Sequence, residues 1–364
     1  MSSFLQRAAS YMDDACAKKS IRLKILHIAF GHSAILCLMI FMAACFLHKV
    51  VADKMTAAES TKHLISSLGC INSISSTAFW MVGRPGLCLI FTHLACAAQI
   101  LEGISSPAEK KSLQKNMERV EKRGRLPFYA MWILTAMILL GSVMNSDFVT
   151  QIYILEGIPH WSHMMIEFVF VTVCIGFGLP ATFTAVLTTL LASKTIIEFL
   201  NDGLRRCRGN EELLKKLIQV HQEVLTALMI ARSLFQYVLL SGALVWCTAL
   251  LLSFFNILSG CYSPAALSLL PIGSAVITSA CEAGDIIVRN SVSASGAVIY
   301  SGWENAGASF RQEVLMFLRI SQRPAYLKIY FSGMLCRKRM KVFRAMYSAF
   351  TLMLSVFDAS TCKA

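Results

Sequence analysis

The feature that most constrains this chain is a set of uncharged apolar runs of nearly one length. Residues 25–47, 128–146, 168–192 and 233–258 contain no Asp, Glu, Lys or Arg. Each is close to the roughly 20 residues that a helix needs to cross a bilayer core. Hydrocarbon offers no partner for backbone N–H and C=O groups, so such runs satisfy them internally as helices. Two further stretches, 64–83 (uncharged but rich in Ser) and 262–281 (with two prolines), read as spans, and 342–357, short and carrying Arg344, makes a seventh. The expected class is all-α, with seven transmembrane helices.

Composition agrees: 56% hydrophobic residues, 15% charged residues and a mean hydropathy of +0.60 exclude an ordinary soluble domain. The net charge of +13 raises nucleic acid as a partner, but the basic residues lie between the apolar runs, as in the loops of a membrane protein. Thirteen cysteines contain no CxxC pair, and Cys37, Cys45, Cys174, Cys247 and Cys281 lie in or at the ends of apolar runs, as small core residues do. Cys70 and Cys261 fall near predicted outer ends, where oxidation is open to them. Residues 1–24 have no apolar core, so the first run is expected to stay as a span rather than be cleaved as a signal.

Every Lys and Arg except Lys49, Lys54, Lys62 and Lys363 falls in 1–24, 84–126, 193–232 or 289–344. The positive-inside rule therefore places the N-terminus in the cytoplasm and the C-terminus outside. The expected layout is a cytoplasmic segment 1–24, six spans with cytoplasmic extensions over 25–281, a cytoplasmic segment 282–341, a last span 342–358 and an outer tail 359–364. The outer loop 147–167 carries Asp147, Glu156 and Glu167 with no basic residue, which enriches cations nearby or is ordinary solvated charge.

The inner segments carry apolar stripes at helical spacing: Leu213, Leu214, Leu217, Ile218, Val220, Val224, Leu225 and Leu228 in one, and Ile196, Ile197, Phe199, Leu200 and Leu204 in another. Ser309 and Gln312 have capping-box spacing ahead of a helix with the stripe Phe310, Val314, Phe317 and Leu318, ended by Pro324. Stripes of this kind pack on one another as a bundle or lie on the inner leaflet beside the Arg337-Lys338-Arg339-Lys341 cluster. Several segments needing partners at once favours the bundle.

The residues Cys281, Gly284, Tyr300, Ser301, Trp303, Phe310, Gln322, Pro324, Phe343, Tyr347, Ser348, Phe350, Thr351 and Leu352 form a string that resembles the C-terminal signature of insect odorant receptors. The match covers about a quarter of the chain. Met346 and Ala349 replace usual residues of the last motif, and Tyr326-Leu327-Lys328 stands where a small or polar run is more common. The resemblance implies a tetrameric ligand-gated cation channel, built from an odorant-tuned subunit and a shared coreceptor, in the plasma membrane of sensory dendrites. It implies a ligand pocket among the second, third, fourth and sixth spans, a pore lined by the last span, and an anchor bundle with subunit contacts at Tyr300, Trp303, Phe310, Phe343 and Tyr347. The Thr-Tyr and Gln-Phe motif of gustatory receptors is absent, and the connection 193–232 lacks the long insertion of the coreceptor, so the chain resembles a tuning subunit.

Leu352 and Val356 are four residues apart and share a helix face. Around a fourfold axis they form an apolar gate that closes by dewetting, and otherwise they are core packing. Asp358 follows at the outer mouth, and Arg344 reaches the inner interface by snorkelling. For a small, volatile, apolar ligand the expected lining is Ile71, Ile74, Ile138, Gly141, Asn145, Phe170, Cys174, Leu269 and Leu270, each also explicable as helix packing. Gly176, Gly178 and Pro180 read as a kink, and His160 and His163 as a loop anchored by Trp161 rather than a metal site. No nucleophile, paired carboxylate or phosphate loop stands out, so neither an enzyme nor a cofactor is expected. A G-protein-coupled receptor requires the opposite orientation, and its Glu-Arg-Val is matched only by Glu118 to Val120, ahead of the third span. A secondary transporter is disfavoured because the segments show no evident inverted repeat and no mid-membrane ionisable pair.

Overall fold

The computed structural model describes residues 40–45, 47–48, 57–145, 159–172, 179–207, 210–258, 285, 288–289, 292–305, 307–321, 348 and 351. The segment 1–24 and the span 262–281 lie outside these residues, and so does all of 342–357 except 348 and 351. Regular structure among the described residues is helical throughout. The elements are α1 (Ala57–Ile104), α2 (Pro107–Gly124), α3 (Leu126–Asn145), α4 (His160–Val171), α5 (Leu179–Arg206), α6 (Glu211–Leu258) and α7 (Ala308–Ser321). A helical stretch 292–299 and a 3-10 turn at Trp303–Asn305 precede α7.

Two helices of 48 residues each, α1 and α6, form the central post. At 1.5 Å per residue each is about 72 Å long, more than twice a bilayer core. Their contacts run in reverse order along the two sequences. The ring centroids of Phe79 and Phe235 lie 5.8 Å apart, Gly83 is pressed on Leu234, and His93 Nδ1 meets Glu223 Oε2 at 2.6 Å. Asn72 Oδ1 lies at Gly242, 3.9 Å from where a Cβ would stand. The helices are therefore antiparallel, and this register aligns their ends.

The chain continues as helix through Gly83, Arg84 and Pro85, where a span end was expected. A proline inside a helix removes one backbone bond. Here it is exposed, while Leu87, Ile90 and Leu94, within the next three turns, are completely buried and hold the helix in line. Gly103 and Ser105 close α1, and the sequence Ser106-Pro107-Ala108-Glu109 opens α2 with a full capping box: Ser106 Oγ accepts from the Glu109 N–H at 3.4 Å and Glu109 Oε2 from the Ser106 N–H at 3.0 Å. Ser106→Ala should cost about 1 kcal/mol, read as a lower melting midpoint of the purified protein; an unchanged midpoint would mean that Pro107 alone starts the helix.

α5 runs parallel to α1, tied by Trp80 Nε1 donating to Thr182 Oγ1 at 3.0 Å. α2 returns along α5, with Glu109 paired to Arg206 at one end and Gly124 against Thr188 at the other. Asn210 caps α6 by accepting from the Leu213 N–H at 3.1 Å, with Glu211 and Glu212 in the first turn where the helix dipole favours carboxylates.

α7 lies beside the first third of α6. Lys215 Nζ stands 5.5 Å from the Phe310 ring, and His221 packs edge-on at 4.5 Å from Phe317. The helix begins at Ala308, one residue before the expected Ser309 cap, and the Gly307 N–H at its start donates to Glu211 Oε1 at 2.9 Å. The carboxylate of a distant helix performs the task that local spacing assigned to Ser309 and Gln312.

The apolar stripes are buried on one another. Leu87, Leu101, Leu113, Ile196, Leu200, Leu204, Leu214, Leu217, Val220, Val298, Phe310, Val314 and Phe317 belong to one core beyond the level of Gly83. Among the described residues, Ser67–Ile104 and Ala181–Arg206 are long and apolar enough to cross a membrane, and Val245–Phe254 is a shorter apolar helix.

Candidate functional site

The end of the post opposite this core carries a different side-chain pattern. α1 buries Ser67, Cys70, Asn72, Ser73, Ser76 and Thr77 in its first half, a polar stripe in a stretch otherwise suited to lipid. The α1–α6 register sets Ser67 and Cys70 opposite Trp246 and Ala249. Asn72 and Phe183 both face Gly242 where α1, α5 and α6 converge, 3.9 and 4.0 Å from where a Cβ would stand.

Three buried polar atoms in this seam, Ser67 Oγ, Ser76 Oγ and Trp246 Nε1, have no hydrogen-bond partner among the described residues. An unsatisfied buried donor or acceptor costs about 1–3 kcal/mol. A seam that keeps three of them offers hydrogen bonds to a small molecule or to water. Sequence reasoning aimed at apolar side chains and passed over this stripe, although Ser67, Asn72 and Ser76 were legible as polar residues inside a span.

Among the expected lining residues, Ile71 is 38% exposed and Ile74 half-buried. Ile71 points away from the seam that Cys70 and Asn72 enter. Ile138, Gly141 and Asn145 sit on the backbone of α3 and Phe170 on that of α4, while Cys174, Leu269 and Leu270 lie outside the described residues. Cys70 is a free, fully buried thiol, and Cys261 lies outside the described residues. The His-Trp-Ser-His sequence opens α4 rather than forming a loop, with Pro159 at its N-cap and Trp161 exposed. Among the described residues no group of three or more His, Cys, Asp or Glu side chains is arranged to hold a metal ion.

At the other end, the signature residues Tyr300, Ser301 and Trp303 form a turn. Gly302 adopts a positive φ of 74°, which a side chain disfavours, and lets the chain reverse between the stretch 292–299 and α7. Ser301 is completely buried, Trp303 packs half-buried on the core, and Tyr300 is 75% exposed. Asn201 Nδ2 donates to Ser293 Oγ at 2.6 Å and fastens this segment to α5. Phe310 is buried in the chain's own core. Val292, Ile299, Leu315 and Met316 join Tyr300 as exposed apolar side chains. Phe343, Tyr347, Leu352, Val356 and Asp358 lie outside the described residues.

Burial pushes the His221 imidazole down to about 4 from 6.5. Its Nε2 has no hydrogen-bond partner among the described residues, and the Phe317 ring packs edge-on against the imidazole. The folded chain thus favours the neutral form, so stability is complete above pH 6.5 and is lost as pH falls toward 4. The amount is roughly 3 kcal/mol between those limits. Limited proteolysis of α7 should accelerate over that interval, and His221→Leu should remove the acceleration; an equal response in both proteins would contradict this. Burial likewise raises the Cys207 thiol, against the opposing effect of its hydrogen bond to the Asn210 carbonyl, and leaves it unreactive.

No protein-family profile and no curated protein matches this chain. Solved structures do. The chain is similar in fold to the insect olfactory receptor OR5 from Machilis hrabei, with 12% identity, a TM-score of 0.73, and coverage of 89% of this chain and 88% of that one. Against the structure of that receptor in complex with eugenol the identity is 11%, the TM-score 0.75 and the coverage 98% of both chains. The chain has the insect olfactory receptor fold over nearly its whole length.

Proposed function

We propose that this chain is an insect-type odorant receptor, one odorant-tuned subunit of a tetrameric, ligand-gated, non-selective cation channel that assembles with a shared coreceptor. The observation that carries this reading is the likeness in fold to an olfactory receptor over 98% of both chains, with the C-terminal string of residues as independent support. In this reading the apolar half of the post, uncharged from Leu64 to Gly83 in α1 and from Ser233 on in α6, lies in the plasma membrane, with the N-terminus and the α2–α7 end in the cytoplasm. The C-terminus lies outside. The exposed apolar residues around Tyr300 and Trp303, with Phe343 and Tyr347, serve subunit contact, whereas Phe310 acts within its own subunit. The ligand is a small volatile organic molecule, in keeping with the neighbour's complex with eugenol. The lining proposed from Ile74, Ile138, Gly141, Asn145, Phe170, Cys174, Leu269 and Leu270 gives shape, and the polar seam of α1 gives hydrogen bonds.

Co-expression with a coreceptor should yield ligand-evoked cation currents that persist when G-protein signalling is blocked. Surface expression without current across a broad panel of volatiles would overturn the reading. Leu352 and Val356 form the proposed gate, with Asp358 at the outer mouth. Leu352→Ala and Val356→Ala should each raise the ligand-free current by widening and wetting the constriction. Leak currents unchanged in both would place the gate elsewhere.

A further inference from the structure

Five basic residues from separate elements collect at one level of the bundle. The register of α1 on α6 sets Arg84 opposite Arg232. The Trp80–Thr182 hydrogen bond aligns α5 with α1, and the Gly124–Thr188 contact aligns α2 with α5. Together they bring Lys122, Arg123 and Arg125 within about one helical turn, ~5 Å, of that level. Arg125 is paired with Glu121. Lys122 and Arg123 are exposed and form no ion pair with a described residue.

The surface changes character across this collar. On one side stand exposed Met81, Val82, Leu126, Tyr129, Ile133 and Tyr237. On the other, α2 exposes Lys110, Lys111, Lys115, Glu118 and Arg119, with Leu89 and Met229 as exposed apolar side chains on the long helices. The two tyrosines lie one to two turns from the arginines on the apolar side, the disposition that amphipathic rings take at a membrane interface. At the junction Lys122-Arg123-Gly124-Arg125 the backbone stays helical from α2 into α3, and Gly124 is pinned on Thr188. The apolar track of Leu126, Tyr129 and Ile133 begins at the next residue.

We infer that this basic junction binds the headgroup phosphate of acidic phospholipids in the adjoining leaflet, with their acyl chains along α3. The inference rests on the membrane placement proposed above and adds a preference among lipids that placement alone does not require. Charge complementarity selects the anionic headgroup, the neighbouring apolar track selects a phosphate that carries chains, and the packing of Gly124 on Thr188 fixes the two relative to each other.

The test reconstitutes the full chain in nanodiscs of phosphatidylcholine and phosphatidylserine and measures the acidic lipid retained by native mass spectrometry. Lys122→Gln with Arg123→Gln should lower the retained fraction, by about fivefold per charge removed. Lys110→Gln with Lys111→Gln removes the same charge ~18 Å along the same helix, about two Debye lengths away, and should leave retention unchanged. An equal fall in both variants, or none in either, overturns the site. Displacement of the lipid by soluble glycerophosphoserine at equal concentration would show that phosphate alone is recognised, and overturns the assignment to a bilayer lipid. If the unaltered chain enters no bilayer of either composition, the membrane placement fails with it; entry without acidic preference overturns this inference alone.

Discussion

Gly124→Ala should dislodge the α2–α3 junction from α5. A Cβ built on Gly124 falls within hard contact of Thr188 Oγ1, a side chain that is 6% exposed and has little room to turn away. Overpacking of this kind costs about 1–3 kcal/mol or more. Because Gly124 links α2 to α3, the displacement extends to the orientation of both. The expected readout is a large fall in thermal midpoint with loss of the monodisperse elution peak. Thr188→Ala removes the clashing oxygen and leaves Cβ at 3.3 Å, so the double variant should recover much of the loss. A single variant as stable as the parent would show that the junction is looser than its geometry.

Phe235→Ala should have a comparable effect by the opposite route. Phe235 is completely buried against Phe79, midway along the seam of the two long helices. Truncating a buried Phe costs about 3–5 kcal/mol through lost contacts and the cavity left behind. The loss should weaken both halves of the post together, seen as one earlier transition rather than partial unfolding of α7. A shift confined to α7, or one worth less than about 1 kcal/mol, would place the stabilising contacts elsewhere.

The parts of this fold that were legible in the sequence are those fixed by periodicity. The stripe from Leu213 to Leu228 and that from Phe310 to Leu318 announced buried faces, and those faces are buried on one another. Punctuation misled at Gly83 and Pro85, because local rules treat both as helix ends while Leu87, Ile90 and Leu94, packed on distant helices, carry α1 through. Long-range pairs had no sequence signal at all. His93 and Glu223 are 130 residues apart, and nothing in the Lys122-Arg123-Gly124-Arg125 sequence names Thr188 as the reason for its glycine. The candidate lining was drawn from apolar side chains on the expected pocket faces, but which face of α1 turns inward depends on the rotation of the whole helix about its axis. That rotation is set by Phe79 and Asn72 against α6, and it turns Ile71 outward.

Pro85 lies beside the arginine collar, on the one long helix that has a proline, while α6 runs its 48 residues without one. The missing N–H leaves the Met81 carbonyl without its helical partner at the level where apolar surface gives way to charge. α1 therefore has a joint where the two environments meet, and α6 is the unbroken splint beside it. Leu87, Ile90 and Leu94 below the gap and Gly83 pressed on Leu234 above it hold α1 in line, so the two halves of the post are coupled through side chains where the backbone ladder is interrupted.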